Sequence, residues 1–254
     1  MAAIVRLFSI CMIILAWPIS GFAVEGSRPR VVIVDPYYGG KETGPIIANR
    51  LKAKEFTLKF GRSLVALLDK ENIVTYLTRS TDTSLTRENR VMISKSKGAD
   101  IFISIRTEQE STNCICLYPA KPKTRHHARK HKTENLAKEE LNQELGYIID
   151  DLVKLNIEED SFMLAADIAK LLKEKPMKLC SEVRQKKDYM LENAPAPAII
   201  VNFGISNSKS PSPYLFDESQ LHGIAETISK SIVNSFNTRT TTTNNVERTK
   251  GNAI

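Results

Sequence analysis

The chain has 254 residues, of which 42% are hydrophobic, and its basic side chains outnumber the acidic ones to give a formal net charge of +7. That length and apolar content exclude a chain too short or too polar to bury a core, and they allow one large domain or two small ones. The positive charge favours contact with anionic polymers, peptide carboxylates or a membrane surface.

The first 23 residues have the three parts of a secretory signal. Arg6 supplies the charge, Leu7 to Trp17 form the apolar run, and Gly21 to Ala23 supply small residues for cleavage. The alternative is an uncleaved membrane anchor, but Pro18 interrupts a run that is already short for a membrane span. Cleavage removes one arginine and no acid, which lowers the net charge from +7 to +6. We therefore expect a periplasmic or secreted protein that is not an integral membrane protein.

Short apolar runs alternate with amphipathic stretches in the first half of the mature chain. Val31 to Val34 form a β-branched run followed by Pro36, which is typical of a buried strand that leads into a loop. Phe60, Leu64 and Leu68 recur at helical spacing and share one face. The predicted elements are a strand at 31–34, a helix at 54–70, a strand at 73–78, a helix at 87–96 and a strand at 101–105. This alternation indicates a largely parallel sheet with helices on both faces.

The second half of the chain predicts a basic loop, long helices and further strands. Residues 119–133 are rich in Lys, Arg, His and Pro without periodicity, and we interpret them as an exposed loop. Residues 238–254 are polar and Thr- and Asn-rich, which predicts a disordered tail. The other predicted elements are a strand at 114–118, helices at 134–146 and 147–174, strands at 183–191 and 198–203, and a closing helix at 217–236. We therefore place a single domain at residues 24–237.

Three cysteines remain after removal of the signal. In an oxidising compartment one disulfide is possible, and Cys180 with either Cys114 or Cys116 is the most plausible pairing. The alternative is three buried apolar thiols. The sequence leaves both possibilities and the pairing open.

Five short segments follow one another in a characteristic order. They are DPYYGGK at 35–41, LKAKEFTL at 51–58, a stretch from Leu77-Thr78-Arg79 to Arg90, GADIFISI at 98–105, and PAIIVNFGISN at 197–207. In this order they resemble the zinc N-acetylmuramoyl-L-alanine amidases that trim bacterial peptidoglycan. The resemblance extends from Val31 to Phe236. It implies an α/β fold with a single mixed, mostly parallel sheet flanked by helices on both faces.

Four positions depart from the pattern of that family. The resemblance implies two histidines and a glutamate as zinc ligands and a second glutamate as the catalyst; Tyr38 and Arg106 stand at the histidines, Ala53 at the first glutamate and Asn202 at the second. A phenol of pKa about 10 is a poor ligand, alanine offers no donor, and a guanidinium is a permanent cation. Asparagine has no titratable group to take a proton from water. We therefore predict a catalytically inactive homologue without a cofactor.

The competing interpretation is an active amidase with a rebuilt zinc site. Glu55 and Glu108 are the nearest replacement carboxylates. Glu55 points about 200° around the helix from the expected ligand position, and Glu108 lies about 6–7 Å further along its strand. His126, His127 and His131 form a cluster, but its cationic surroundings favour a solvated loop. Neither set supplies three convergent ligands.

Two binding roles follow from the resemblance. Tyr38, Arg106 and Asn202 are predicted to form a cationic pocket for a stem-peptide carboxylate of peptidoglycan or a muropeptide. The alternative is that Arg106 pairs with Asp35 or Glu108 and only fills space. Residues 134–174 resemble a regulatory insertion in the periplasmic branch of the family, which implies a surface for an amidase activator or a division protein. An ordinary packed helix pair is the other interpretation, and no nucleic-acid partner is predicted.

Overall fold

A computed structural model of the chain describes residues 28–47, 51–110, 113–123, 138–175, 180–206 and 217–251. The predicted secretory signal, the histidine cluster and most of the predicted basic loop lie outside these residues. No helix within the described ranges is long and apolar enough to cross a membrane.

Six strands form one sheet in the order β2-β1-β3-β6-β4-β5. Of the five neighbouring pairs, only β4 with β6 is antiparallel, so the predicted mixed, mostly parallel sheet is confirmed. The parallel neighbours β1, β3 and β6 end at the same edge, which places the ends of three predicted motifs side by side. The strands are β1 (Val31–Pro36), β2 (Val74–Leu77), β3 (Ile101–Glu110), β4 (Cys114–Pro119), β5 (Cys180–Val183) and β6 (Ala198–Ser206).

Helices cover both faces of this sheet, as predicted. The alternation of side chains along β3 shows the division, because Ile103 and Ile105 join one buried cluster and Phe102 joins the other. The first cluster is completed by α1, α3 and α5, and the second is completed by α4, by Ile157 of α3 and in part by α2. The helices are α1 (Ala53–Lys70), α2 (Arg87–Ser96), α3 (Lys138–Glu174), α4 (Tyr189–Glu192) and α5 (Glu218–Gly251).

Two of the predicted helix boundaries are wrong. Residues 134–146 and 147–174 were expected to form two helices, but α3 is continuous across Gly146. A single glycine costs a helix only about 1 kcal/mol, so the flanking turns are sufficient to continue it. The closing helix predicted at 217–236 also ends later than expected, since α5 extends to Gly251 and includes most of the residues for which a tail was predicted. Extension of an existing helix avoids the nucleation cost that the polar tail would face alone.

The predicted strand at 183–191 is wrong as well. β5 ends at Val183, residues 184–188 have no regular secondary structure, and Tyr189 begins the short helix α4. We refer to residues 184–188 as the crossing segment, because they lead from β5 at one edge of the sheet to contacts with β3. Its charged side chains make the contacts with β3 that are described below.

A disulfide joins Cys114 of β4 to Cys180 of β5. The two residues are direct partners in the parallel register of these strands, with Cα atoms 4.6 Å apart. Cys116 is a buried free thiol. The interpretation with one disulfide is therefore confirmed, and the bond fixes the strand from which the crossing segment leaves.

Candidate functional site

Tyr38 lies directly after β1 in a left-handed backbone conformation, with φ of +63°. Its side chain is buried, and its hydroxyl donates a hydrogen bond to the carbonyl oxygen of Thr107 at 2.7 Å. Burial, followed by the negative charge of Glu108, raises the pKa of the Tyr38 phenol well above its ordinary value. The phenol therefore stays protonated and directs its proton to the protein backbone, which does not suit a metal ligand.

Two buried arginines hold the loop that carries Tyr38. Arg79 donates from Nε to the carbonyl oxygen of Pro36 at 2.8 Å. Arg90 forms an ion pair with the fully buried Asp35, and its guanidinium lies 4.8 Å from the centre of the Tyr37 ring. Both arginines belong to the sequence motifs that identified the fold, so these motifs serve to fix the loop.

Ala53 is fully buried at the start of α1 and faces the loop that precedes it. A β-carbon added to Gly44 in that loop would lie 2.6 Å from Ala53 Cβ and 2.9 Å from the Tyr38 ring. Gly44 also has a φ of +65°, which side chains rarely adopt. The loop therefore packs directly against Ala53 and Tyr38, and it fills the space beside two of the four altered positions.

Arg106 is a buried cation with a complete set of partners. Its side chain is 3% exposed, and Nη1 and Nη2 donate to the two carboxylate oxygens of Asp188 at 2.7 and 3.3 Å. Its Nε donates to Ser104 Oγ at 3.3 Å, and the guanidinium carbon lies 4.0 Å from the centre of the Tyr37 ring. The nearest Glu108 oxygen is 3.9 Å away. The main partner of Arg106 is thus Asp188, rather than Asp35 or Glu108 as the space-filling alternative expected.

The ion pair keeps both side chains charged. Burial opposes the charge of Arg106, but the hydrogen bonds and charge of Asp188 outweigh burial and raise its pKa. Burial also acts against the Asp188 carboxylate, yet the hydrogen bonds and charge of Arg106 hold its pKa below the ordinary value. The site is therefore occupied by a fixed positive charge whose counter-charge comes from the chain itself.

Asn202 lies beside Arg106, because the two residues are partners in the register of β3 and β6. The side chain is fully buried, and Nδ2 donates to a carboxylate oxygen of Glu110 at 3.2 Å. Its Oδ1 atom has no hydrogen-bond partner among the described residues. A buried acceptor of this kind is costly to leave unpaired.

Opposite charges pair in three successive steps between β3 and the crossing segment. We call this arrangement the charge ladder. Every second residue from Arg106 to Glu110 in β3 takes part, and every second residue of the crossing segment pairs with it in the reverse direction. The pairs are Arg106 with Asp188, Glu108 with Lys186, and Glu110 with Arg184. The crossing segment therefore runs antiparallel to this end of β3 and is attached to it by charged side chains rather than by a predicted strand pairing.

The structure brings the predicted site residues together only in part. Arg106 and Asn202 are direct neighbours on one face of the sheet. Tyr38 is connected to Arg106 through Tyr37, whose ring centre lies 5.0 Å from that of Tyr38. Sequence reasoning missed Asp188 and Tyr37. The alternating charges of residues 182–188 were the available signal, but a strand explained them equally well.

The residues present do not fit the zinc ion that the family resemblance implies. Tyr38 is a hydrogen-bond donor, Ala53 has no ligand atom, and Arg106 repels cations. Of the suggested replacements, Glu55 is exposed and Glu108 pairs with Lys186. Among the described residues, the one close group of three metal-binding side chains is Cys114, Cys180 and Glu182, and its two cysteines form the disulfide.

Comparison with protein families identifies the family of the domain that contains these residues. The family model described as N-acetylmuramoyl-L-alanine amidase matches residues 32–234. The chain belongs to this family. The match begins at the second residue of β1 and includes the other five strands, so the four departing positions lie inside it.

Individual relatives agree with this assignment over shorter stretches. The chain is 37% identical over 86 residues to the amidase AmiA of Escherichia coli K12, which is 34% of this chain and 30% of AmiA. It is 35% identical over 83 residues to the probable cell wall amidase LytH of Staphylococcus saprophyticus, covering 32% and 27%. The matched stretches thus span less than a third of these relatives.

Solved structures show the same fold. The catalytic domain of CwlV from Paenibacillus polymyxa matches with a TM-score of 0.57 and 17% identity, over 82% of this chain and 98% of that domain. The CwlD amidase of Clostridioides difficile, solved in complex with the GerS lipoprotein, matches with a TM-score of 0.58 and 20% identity, over 82% and 99%. The fold of an amidase catalytic domain is therefore retained.

Proposed function

We propose that this chain is a catalytically inactive member of the amidase family that acts as a binding module in cell-wall remodelling. The observation that carries the proposal is the buried ion pair of Arg106 with Asp188. It occupies the position where the resemblance implies a metal ligand. No other described group at the four altered positions offers a carboxylate, an imidazole or a titratable base.

Electrostatic repulsion by Arg106 opposes the binding of a metal ion at this site. A dication held about 4 Å from a guanidinium would be repelled by about 8 kcal/mol at an effective dielectric constant of about 20. Asp188 offsets part of this repulsion, but it already uses both carboxylate oxygens on Arg106. Asn202 cannot supply the proton transfer that amide hydrolysis requires. Zinc binding and catalysis are therefore disfavoured independently of each other.

The test is to measure zinc content and peptidoglycan hydrolysis on the same protein. The purified chain is dialysed against zinc and then against buffer, and bound metal is measured by mass spectrometry. Release of dye from labelled peptidoglycan is measured in parallel, with the Escherichia coli amidase AmiA as the positive control. We expect no stoichiometric zinc and no release. About one zinc per chain, with release that a chelator abolishes, would instead establish an active amidase with a rebuilt zinc site.

A partner surface on α3 is the second part of the proposal. Among the described residues, eleven large hydrophobic side chains are exposed, and eight of these lie on α3 between residues 145 and 163. An apolar stripe of this size on a soluble helix is typical of an interaction site. The stripe comprises Leu145, Ile148, Ile149, Leu152, Val153, Leu155, Phe162 and Met163.

The stripe continues into a groove and has acidic neighbours. Leu155 and Phe162 line the groove of about 500 Å³ together with Gln185 of the crossing segment. Glu158 and Glu159 line the same groove. A partner that presents apolar side chains flanked by basic ones would fit this surface. We propose an amidase activator or a division protein as this partner, and the complex of the related CwlD with a lipoprotein is a precedent within the fold.

Site-specific cross-linking in cells tests the surface. A photoreactive residue at Leu152 should cross-link to a heterologous protein, and the same residue at Lys170, an exposed polar position of α3, should not. Cross-links between two copies of this chain would show that self-association covers the stripe. Equal yields at both positions would contradict a specific surface.

We also propose that the protein is exported to the periplasm. The disulfide between Cys114 and Cys180 supports this, since disulfides persist in oxidising compartments. Cell fractionation should place the chain in the periplasm, shortened at about residue 23. A cytoplasmic, uncleaved chain would contradict the proposal.

A further inference from the structure

The surroundings of Arg106 have the features of a carboxylate receptor. The two terminal nitrogens of its guanidinium bind one carboxylate as a fork, and the face of the guanidinium rests on the Tyr37 ring. Arginine in this arrangement recognises planar anions with high geometric specificity. Ser104 and the aromatic ring hold the guanidinium from the other sides, so the receptor is preformed.

The carboxylate now bound there belongs to the crossing segment. That segment has no regular secondary structure, and charged side chains attach it to β3. The outer steps of the ladder are partly exposed, with Lys186 and Arg184 at 29% and 36%, whereas Asp188 is 10% exposed. Exposed ion pairs contribute little to stability, because water screens them. The hold on the segment therefore depends mainly on the inner pair.

An external carboxylate would satisfy Arg106 as well as Asp188 does. Exchange of one carboxylate for another leaves no buried charge unpaired, so the large cost of breaking a buried ion pair is avoided. The two outer ion pairs of the charge ladder would then be the main contacts that oppose the exchange.

Asn202 adds a second recognition group beside Arg106. Its Oδ1 atom is a buried acceptor without a partner among the described residues. The two residues are register partners on neighbouring parallel strands, which lie about 4.8 Å apart. A peptide offers the matching pair of groups, since a carboxylate lies close to an amide N–H that can donate to Asn202.

We propose that Arg106 and Asn202 form a binding site for a peptide carboxylate, which Asp188 fills as an internal ligand until an external one replaces it. The inference rests on the proposed function, because it requires that no metal occupies this site. It extends that function by giving the site at Arg106 and Asn202 a ligand class and a closed state.

Titration with acetate tests the receptor directly. The wild type, Asp188→Asn and the double variant Asp188→Asn/Arg106→Gln are titrated by calorimetry, with acetamide as the neutral control. Asparagine at position 188 keeps an oxygen acceptor for the backbone N–H of Met190. We expect Asp188→Asn to bind acetate at least tenfold more tightly than the wild type, and the double variant to lose this gain. Equal affinities in the single and double variants would overturn the proposal.

A second pair of variants keeps the test decisive if Asp188→Asn does not fold. Lys186→Glu replaces one attraction of the ladder with repulsion from Glu108 and leaves Arg106 and Asp188 intact. Lys187→Glu makes the same charge change at the exposed neighbouring position. We expect Lys186→Glu to increase acetate affinity several-fold relative to Lys187→Glu. The same affinity in both would overturn the internal-ligand mechanism.

Muropeptides identify the source of the carboxylate. Those with free carboxylates should bind Asp188→Asn more tightly than amidated ones, and Arg106→Gln should remove the difference. If acetate binds but muropeptides do not, Arg106 and Asn202 still form a carboxylate site. Its ligand would then be a carboxylate of a partner protein. Zinc content is a separate readout: a zinc-loaded protein contradicts the proposed function, whereas a zinc-free protein without the acetate gain contradicts only this inference.

Discussion

The two sides of the candidate site differ from the expected zinc centre in different ways. On one side, Tyr38 and Ala53 are neutral, and the loop with Gly44 closes the space by packing. On the other side, Arg106 introduces a charge that Asp188 neutralises from 82 positions further along the chain. The comparison shows that packing can close a site with residues close in sequence, whereas a buried charge requires a specific distant partner.

The charged side should be the more sensitive to substitution. Asp188→Ala leaves the guanidinium of Arg106 buried without a counter-charge, and such changes cost about 3–5 kcal/mol. Lys186→Ala removes a partly exposed pair and should cost about 0–1 kcal/mol. Urea unfolding of both variants measures the difference. Equal losses would show that the crossing segment, rather than the buried pair, dominates stability.

The packed side should respond to a single added methyl group. Gly44→Ala places a β-carbon 2.6 Å from Ala53 Cβ at a residue with positive φ, and we expect a loss of about 1–3 kcal/mol. Gly146→Ala is the matched control, because a β-carbon there meets no atom within 4 Å and the residue lies within α3. The control should be stabilised by about 0.4–1 kcal/mol. A harmless Gly44→Ala would mean that the loop leaves room at the site.

Acid should weaken the charged side selectively. The folded pKa of Asp188 lies below its unfolded value, so its contribution to stability is present above the unfolded pKa and is lost as the pH falls through the folded pKa. The stability difference between the wild type and Asp188→Asn should be constant from about pH 5 to 8 and shrink below about pH 4. Denaturant unfolding across this range measures it. A difference that does not change with pH would contradict the charged pair.

The smallest effect is expected at the exposed stripe of α3. Leu152→Ser changes a half-exposed side chain outside the core, so the free energy of unfolding should change by no more than about 0.5 kcal/mol. Leu164→Ser, which lies in the buried half of the same helix, should cost several kcal/mol. Thermal unfolding of both variants checks this contrast. A large loss at Leu152 would show that the stripe is covered within the folded chain.

The sequence predicted helices well where hydrophobic side chains recur at helical spacing. The helix expected at 87–96 coincides with α2, and the helix expected at 54–70 differs from α1 by one residue. The strand predicted at 183–191 failed because residues 184–188 are attached to β3 by ion pairs of their side chains rather than by backbone pairing in the sheet. The sequence also predicted two helices that meet at Gly146, whereas the helical turns on either side of this glycine are sufficient to continue α3 through it.

The amino-acid sequence by itself determined the family frame and the four residues that depart from it, because motifs and their spacing are local properties of the chain. Only the tertiary structure decided which distant residues pair with a buried charge or with a thiol. Asp188 for Arg106 and Cys180 for Cys114 lie 82 and 66 positions away from their partners. A residue type shows that a buried charge or thiol needs a partner, but the sheet order and register determine which of the distant candidates reaches it.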